Sequence, residues 1–285
     1  MRTDGAGCAG KDSEAFVKIR LDVCMMNRGL CPSREKARNR ILAGEVSVNG
    51  SPVTKPGTMI DETADIELTG EGLPFVGRGG LKLEKLLTNY RPDLTGLRCL
   101  DVGASTGGFT DAMLKRGAAI VYAVDVGTDQ LADELRTDPR VVSLEQTDIR
   151  TVTADRLGGT VDFVSIDVSF VSLEKIIPAV SLLMHEGSEL GVLIKPQFEA
   201  GRSGVGKHGV VRDKAVHREV LTRILGMTRQ VGFRPEALEY SPICGQSGNI
   251  EYLLYAVFGP GDGEDEIRDM TVERVVNEAF LHLGK

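Results

Sequence analysis

The run Cys99-Leu100-Asp101-Val102-Gly103-Ala104-Ser105-Thr106-Gly107-Gly108-Phe109-Thr110-Asp111 constrains this chain more than any other stretch. It reads as an apolar strand closing on an acid, then a glycine-rich turn, then the start of a helix. Glycine at such a turn lets a ligand approach the backbone and tolerates positive φ. A second apolar run, Ile120-Val121-Tyr122-Ala123-Val124, closes on Asp125. An acid ending the second strand of a parallel sheet is placed to accept hydrogen bonds from ribose hydroxyls. Together the two runs predict a nucleoside-containing cofactor at the carboxyl ends of parallel strands.

A dinucleotide fingerprint reads G-x-G-x-x-G and seats a pyrophosphate on the helix N-terminus. Here the turn is Gly103-Ala104-Ser105-Thr106-Gly107-Gly108, with Asp101 just ahead of it. A carboxylate there repels a pyrophosphate but pairs with an ammonium or sulfonium group. That favours S-adenosylmethionine over NAD; a dinucleotide, or a structural turn without ligand, are the alternatives. The candidate cofactor contacts are Asp101, Gly103, Ser105, Thr106, Gly107 and Asp125. Asp148, in Thr147-Asp148-Ile149 after the third strand, is placed for an adenine amino group or is a plain polar strand end.

Around this turn, apolar runs alternate with helical spacing. Strands are predicted at 97–102, 120–125, 141–145, 161–166 and 190–194, and helices at 107–116, 129–136, 172–184 and 213–230. Such alternation means a mostly parallel, Rossmann-like α/β sheet covered on both faces. The last two strands, near 234–241 and 251–258, follow each other without a helix and predict an antiparallel hairpin at one sheet edge.

Ahead of this domain lies a smaller α/β module. Residues 1–12 are expected to be disordered, 13–69 to form the module, 70–77 a linker, 78–259 the large domain, and 260–285 an acidic tail. The tail ends with Val272, Val275, Val276, Ala279 and Phe280 at helical spacing, as for a helix docking on a neighbour. In the module, helices are predicted from Ser13 to Arg28 and from a Ser33 cap to Gly44, with Phe16, Ile19, Val23 and Met26 as core. Val46-Ser47-Val48-Asn49-Gly50 predicts a hairpin turning at Asn-Gly. Charge is segregated: residues 11–41 carry eight Lys/Arg against four acids, and residues 42–70 one base against five acids. The basic end is suited to RNA backbone contact, which positions an enzyme but reads little sequence.

Composition narrows the classes. A net charge of −7 excludes a uniformly basic coat, and 5% aromatics with no Trp excludes base stacking as the dominant mode of recognition. The five cysteines are odd in number and form no C-x-x-C, so reduced thiols, a cytoplasmic location and no metal site are expected. No run of about 18 apolar residues and no apolar signal segment are present, so neither a membrane partner nor an obligate protein partner is expected. His185, His208 and His217 read as surface or loop residues.

If the cofactor donates methyl, the acceptor follows from the site. The fourth strand ends Ile166-Asp167-Val168-Ser169-Phe170, with neither a Pro-Pro-aromatic step for a base amino group nor a cysteine for pyrimidine carbon. Charged residues stand at strand ends instead: Asp167, Lys195 in Ile194-Lys195-Pro196-Gln197-Phe198, and Glu251 in Gly248-Asn249-Ile250-Glu251-Tyr252, with Lys82 in the helix before the sheet. This set suits a hydroxyl acceptor. A crowded, partly desolvated lysine serves as general base, Asp167 orients it, and Glu251 and Lys82 fix the ribose and the proton network.

At this point the chain resembles the TlyA (haemolysin-A-like) family of ribosomal RNA methyltransferases over about residues 14–258. The resemblance rests on Arg78-Gly79-Gly80-Leu81-Lys82-Leu83, Gly103–Thr110, Lys195-Pro196-Gln197-Phe198-Glu199 and Gly248–Tyr252 in combination. It implies an N-terminal RNA-binding domain of the ribosomal-protein-S4 type and an FtsJ-like methyltransferase domain. The family's Lys-Asp-Lys-Glu tetrad falls on Lys82, Asp167, Lys195 and Glu251, and its RNA contacts on Arg20, Arg28, Ser33 and Arg34, to which Lys36 and Arg38 of the same basic helix are added. The implied activity is 2′-O-methylation of cytidine in ribosomal RNA or ribosomal subunits, with S-adenosylmethionine as donor. Gly77 stands where the family usually has Ser, and His208 where a Gly is common. A haemolysin-like cytolysin and a non-catalytic ribosome-assembly factor are the competing classes.

Overall fold

The computed structural model describes residues 17–70, 72–91, 93–245, 247–260, 267 and 269–284. The expected disorder of residues 1–12 and the core role of Phe16 lie outside these residues. The chain forms two compact units that divide after Pro74.

In the first unit, the predicted helix over 13–28 gives way to a strand, β1 (Lys18–Arg20), followed by α1 (Leu21–Asn27). β1 pairs antiparallel with β4 (Met59–Asp61), Ile19 opposite Ile60. The first amides of α1 are satisfied from outside the helix: Leu21 N–H donates to Thr58 O and Asp22 N–H to Pro56 O. Tertiary pairing has overridden local propensity. The later start changes the buried face, which is Leu21, Cys24 and Met25, whereas Val23 is half-buried and Met26 exposed. α2 (Arg34–Leu42) is capped as expected by Ser33, whose Oγ accepts from Lys36 N–H at 3.2 Å. β2 (Val46–Val48) and β3 (Ser51–Pro52) join through Asn49 and Gly50, both at positive φ, the type I′ geometry that Asn-Gly favours. β5 (Ile66–Leu68) completes that sheet beside β2.

The second unit starts with α3 (Gly79–Tyr90), and Phe75 and Val76 ahead of it are already buried in its core. The elements then run β6 (Arg98–Val102), α4 (Gly108–Lys115), β7 (Ile120–Val124), α5 (Asp133–Arg136), β8 (Val141–Leu144), β9 (Val161–Ile166), α6 (Ile177–Ser181), β10 (Met184–Ile194), α7 (Pro196–Glu199), α8 (Gly201–Gly204), α9 (Lys214–Gln230), β11 (Phe233–Tyr240), β12 (Tyr252–Phe258) and α10 (Asp269–Leu283). The seven strands lie in the order β11-β12-β10-β9-β6-β7-β8. β10, β9, β6, β7 and β8 are parallel, and β12 is antiparallel to both β10 and β11. Side chains alternate between two cores: Leu100, Val102, Val164 and Ile166 face α6, α9 and α10, while Cys99 and Phe163 face α3 and α4. Strand order reverses direction between β6 and β9, and a crevice at such a switch point is where open α/β sheets bind ligands.

Three expectations shift. The helix expected over 172–184 is a short turn at Leu173–Lys175 followed by α6, because β10 already begins at Met184. His217 is not on the surface but fully buried on α9: its Nε2 donates to Val211 O (3.1 Å), which leaves Nδ1 to accept from the Tyr252 hydroxyl (2.8 Å). The C-terminal helix docks within its own unit, with Val272, Val275, Val276 and Ala279 buried against α9 and β11.

Candidate active site

The glycine turn follows β6 at the switch point. Asp167 N–H donates to Val102 O at 2.9 Å, tying the ends of β6 and β9 together. Gly103 has φ +85°, and a Cβ there would lie 2.5 Å from Asp167 O, so this residue must be glycine on two counts. Gly77 also makes a close approach: a Cβ would sit 2.8 Å from Thr106 Oγ1. The turn is braced from the next strand, since Asp125 accepts Ser105 N–H (2.8 Å) on one oxygen and Gly127 N–H (2.7 Å) on the other. Asp125 remains partly exposed and retains unused lone pairs.

Asp101 behaves otherwise than expected. It is fully buried, and its carboxylate accepts from Thr110 Oγ1 (2.7 Å) and Ser165 Oγ (3.1 Å). It points into the interior and cannot pair with a ligand's sulfonium directly; its part is to fasten α4 and β9 beneath the turn. Burial pushes its carboxyl up to about 7, against the two hydroxyl donors. Asp148 has both oxygens engaged by Arg150, whose Nε lies 2.9 Å from Oδ1, and this hydrogen bonding draws it down to about 2.

The four charged residues meet as two ion pairs. Lys82 Nζ lies 2.6 Å from Glu251 Oε2, with side chains 10% and 3% exposed. Lys195 Nζ lies 2.6 Å from Asp167 Oδ1 and donates to Ser169 Oγ at 2.9 Å. Topology explains the convergence. Asp167 and Lys195 directly follow parallel neighbours β9 and β10, while Glu251 precedes β12, which runs the opposite way beside β10, with Ile194 opposite Tyr252. All three therefore stand at one edge of the sheet. Neighbouring residues bring the pairs close: Gln197, two positions after Lys195, donates from Nε2 to Glu251 Oε1 (3.0 Å), and Gly79, which opens the helix carrying Lys82, would place a Cβ 3.9 Å from Asp167 Oδ2.

Sequence reasoning missed three contributors. Gln197 and Ser169 bind tetrad members. Phe170 is 92% exposed at φ +63°, with its ring 4.8 Å from that of Phe198. An exposed aromatic in a left-handed conformation costs free energy. Its loop is pinned by Glu199, which accepts from Ser172 Oγ and Leu173 N–H, both at 2.8 Å. The low aromatic content concealed it, because a single ring carries no pattern.

The six residues expected at RNA divide. Arg20 and Arg34 share the carboxylate of Asp22. Arg28 is spent on the carbonyls of Glu62 and Ala64, and Ser33 on the cap of α2. Arg38 is exposed on α2 and Lys36 half-buried.

A mostly parallel sheet with a braced glycine turn and two lysine–carboxylate pairs at adjoining strand ends defines a methyltransferase fold, and known families agree. The family model described as FtsJ-like methyltransferase matches residues 75–258, and that of the S4 domain matches residues 19–66. The chain is 46% identical over 269 residues to the Bacillus subtilis protein named "Putative rRNA methyltransferase YqxC", covering 93% of this chain and 95% of that one. It is 42% identical over 239 residues to Mycobacterium tuberculosis "16S/23S rRNA (cytidine-2'-O)-methyltransferase TlyA", covering 84% and 89%. A solved structure described as "Putative hemolysin from Streptococcus thermophilus" superposes with a TM-score of 0.73 at 42% identity, covering 94% of this chain and 97% of that one. The chain belongs to the TlyA family, in which an S4 domain precedes an FtsJ-like methyltransferase domain.

Proposed function

We propose that this protein transfers a methyl group from S-adenosylmethionine to a ribose 2′-hydroxyl of ribosomal RNA, at cytidine, in the cytoplasm. The observation that carries the reading is the placement of two lysine–carboxylate pairs, Lys82–Glu251 buried and Lys195–Asp167 half-buried, at the strand ends beside the glycine turn. The activity for which the M. tuberculosis relative is named supports the acceptor and the base. The donor, when bound, supplies an electrophilic methyl on sulfonium. The residues fit it: the turn leaves Asp125 lone pairs for its ribose, and Asp167 offers a carboxylate at the switch point.

A ribose hydroxyl is a poor acid, so its proton must leave as the new C–O bond forms. Lys195 accepts that proton after its ammonium has released one to solvent. The ammonium it becomes is met by Asp167 and Ser169, already within hydrogen-bond reach, so charge developing in the transition state falls on a prepared partner. The Lys82–Glu251 pair, held by Gln197, orients the ribose. Phe170 offers a face on which an unstacked base can lie, as enzymes acting on single nucleotides require. The S4 unit contributes phosphate contacts.

The test is incubation with labelled donor and ribosomal subunits or free ribosomal RNA, followed by mapping of 2′-O-methyl nucleotides. Label on base atoms alone defeats the reading. Lys195→Ala is expected to abolish transfer while donor affinity, measured by calorimetry, stays within about threefold. Among the described residues no helix is long and apolar enough to cross a membrane.

A further inference from the structure

Of the basic residues in the S4 unit, Arg20 and Arg34 are held in an unusual way. Arg20 ends β1 and Arg34 opens α2, 14 positions apart in sequence. Both guanidiniums reach one carboxylate, that of Asp22, which is 2% exposed. Arg20 binds it as a fork, Nε to Oδ1 and Nη2 to Oδ2, both at 2.9 Å. Arg34 Nε reaches Oδ2 at 3.0 Å, and Val23 N–H donates to Oδ1 at 3.1 Å. Hydrogen bonds from Arg20, with those from Arg34, hold the carboxyl below its ordinary range against the opposing effect of burial. Gly57 makes room for the Arg20 guanidinium, which lies 3.0 Å from where a Cβ would stand.

The anion is hidden while the cations are not: the side chains of Arg20 and Arg34 remain 45% and 55% exposed. Two positive charges on one negative leave a net positive unit with fixed geometry. Arg28 offers a contrast, since its guanidinium ties α1 to the carbonyls of Glu62 and Ala64. A planar guanidinium held by one edge loses less freedom when it meets a phosphate.

We propose that Asp22 is a positioning residue for RNA: it pre-orders Arg20 and Arg34 as a paired phosphate clamp. This rests on the reading that the S4 unit binds RNA. It leads to a result opposite in sign to simple electrostatics. Removing an acid from a basic surface strengthens binding to a polyanion if only net charge counts. Removing Asp22 weakens it if the acid aims the arginines.

The experiment measures filter binding of the full chain to deproteinised bacterial ribosomal RNA at several KCl concentrations, for wild type, Asp22→Asn, the double variant Arg20→Lys with Arg34→Lys, and Glu67→Gln. Circular dichroism and thermal unfolding report the fold. The expected result is binding about tenfold weaker for Asp22→Asn, the cost of ordering two arginines on association. The lysine pair, which keeps both charges and loses the fork, weakens similarly even should Asp22→Asn fail to fold. Glu67→Gln, which removes an exposed acid on the other sheet of the unit, binds as well as wild type or slightly better. Folded Asp22→Asn binding as tightly as wild type, or a lysine pair equal to wild type, overturns the proposal. Absence of salt-dependent binding by wild type instead overturns the RNA reading beneath it.

Discussion

Breaking the Lys82–Glu251 pair separates what holds this site together from what makes it react. The two side chains are 10% and 3% exposed and 2.6 Å apart, so the pair belongs to the buried regime, not to the solvent-screened one. Lys82→Met leaves Glu251 buried with Gln197 as its remaining polar side-chain partner among the described residues. An uncompensated buried charge costs about 3–5 kcal/mol. For a domain of this size each kcal/mol moves the melting temperature about 2–4 °C, so the single variant is expected to melt about 6–20 °C lower. Replacing both partners, Lys82→Met with Glu251→Leu, removes the stranded charge together with the desolvation it demanded. That double variant is expected to return to within about 1–2 kcal/mol of wild type. It is nevertheless expected to be inactive in methyl transfer. The assay is urea unfolding of wild type, both singles and the double, alongside transfer to ribosomal RNA. A single variant within about 1 kcal/mol of wild type refutes the assignment of the pair as a buried, mutually compensating unit. An active double variant refutes its role in the chemistry.

Other consequences are equally open to measurement. Phe170→Gly removes a residue that is 92% exposed at φ +63°, so stability is expected to change by no more than about 1 kcal/mol while RNA methylation falls and donor affinity holds; unchanged turnover would show that the ring has no part in placing the substrate. Gly103→Ala forces a Cβ to 2.5 Å from Asp167 O at φ +85° and is expected to cost about 2–4 kcal/mol and to lower donor affinity, read by unfolding and calorimetry. Burial pushes the Asp101 carboxyl up to about 7 from an ordinary value of 3.8. A carboxyl raised on folding stabilises fully below pH ~4 and loses that contribution as pH rises through ~7, about 4 kcal/mol in all. The stability difference between wild type and Asp101→Asn is therefore expected to move in favour of the variant between pH 4 and 7, and a pH-independent difference refutes it.

Much of the fold was legible because its signals are local. Apolar runs 5–6 residues long, each closing on an acid or a glycine turn, placed β6, β7 and β9 within a residue of their bounds. The Asn49-Gly50 turn and the Ser33 cap are single-residue chemistries that local geometry dictates. The start of α1 failed for the complementary reason. Lys18–Arg20 becomes a strand only because Met59–Asp61 lies alongside, and no window of sequence contains that pairing. His217 misled because a polar residue in a helix reads as exposed until Tyr252 and Val211 satisfy both of its nitrogens.

The sequence by itself determined which residues carry charge at strand ends and where the chain must bend beside a cofactor, since both follow from residue type and short-range spacing. Only the tertiary structure decided which lysine meets which carboxylate. Lys82 and Glu251 are 169 positions apart and meet because β12 runs antiparallel beside β10. It likewise turned Asp101 inward, away from the ligand side that its place before the turn had implied. Alternation along the strand puts Asp101 on the Cys99 face of β6, but only α4 packed over that face and β9 paired alongside supply Thr110 and Ser165 to its carboxylate.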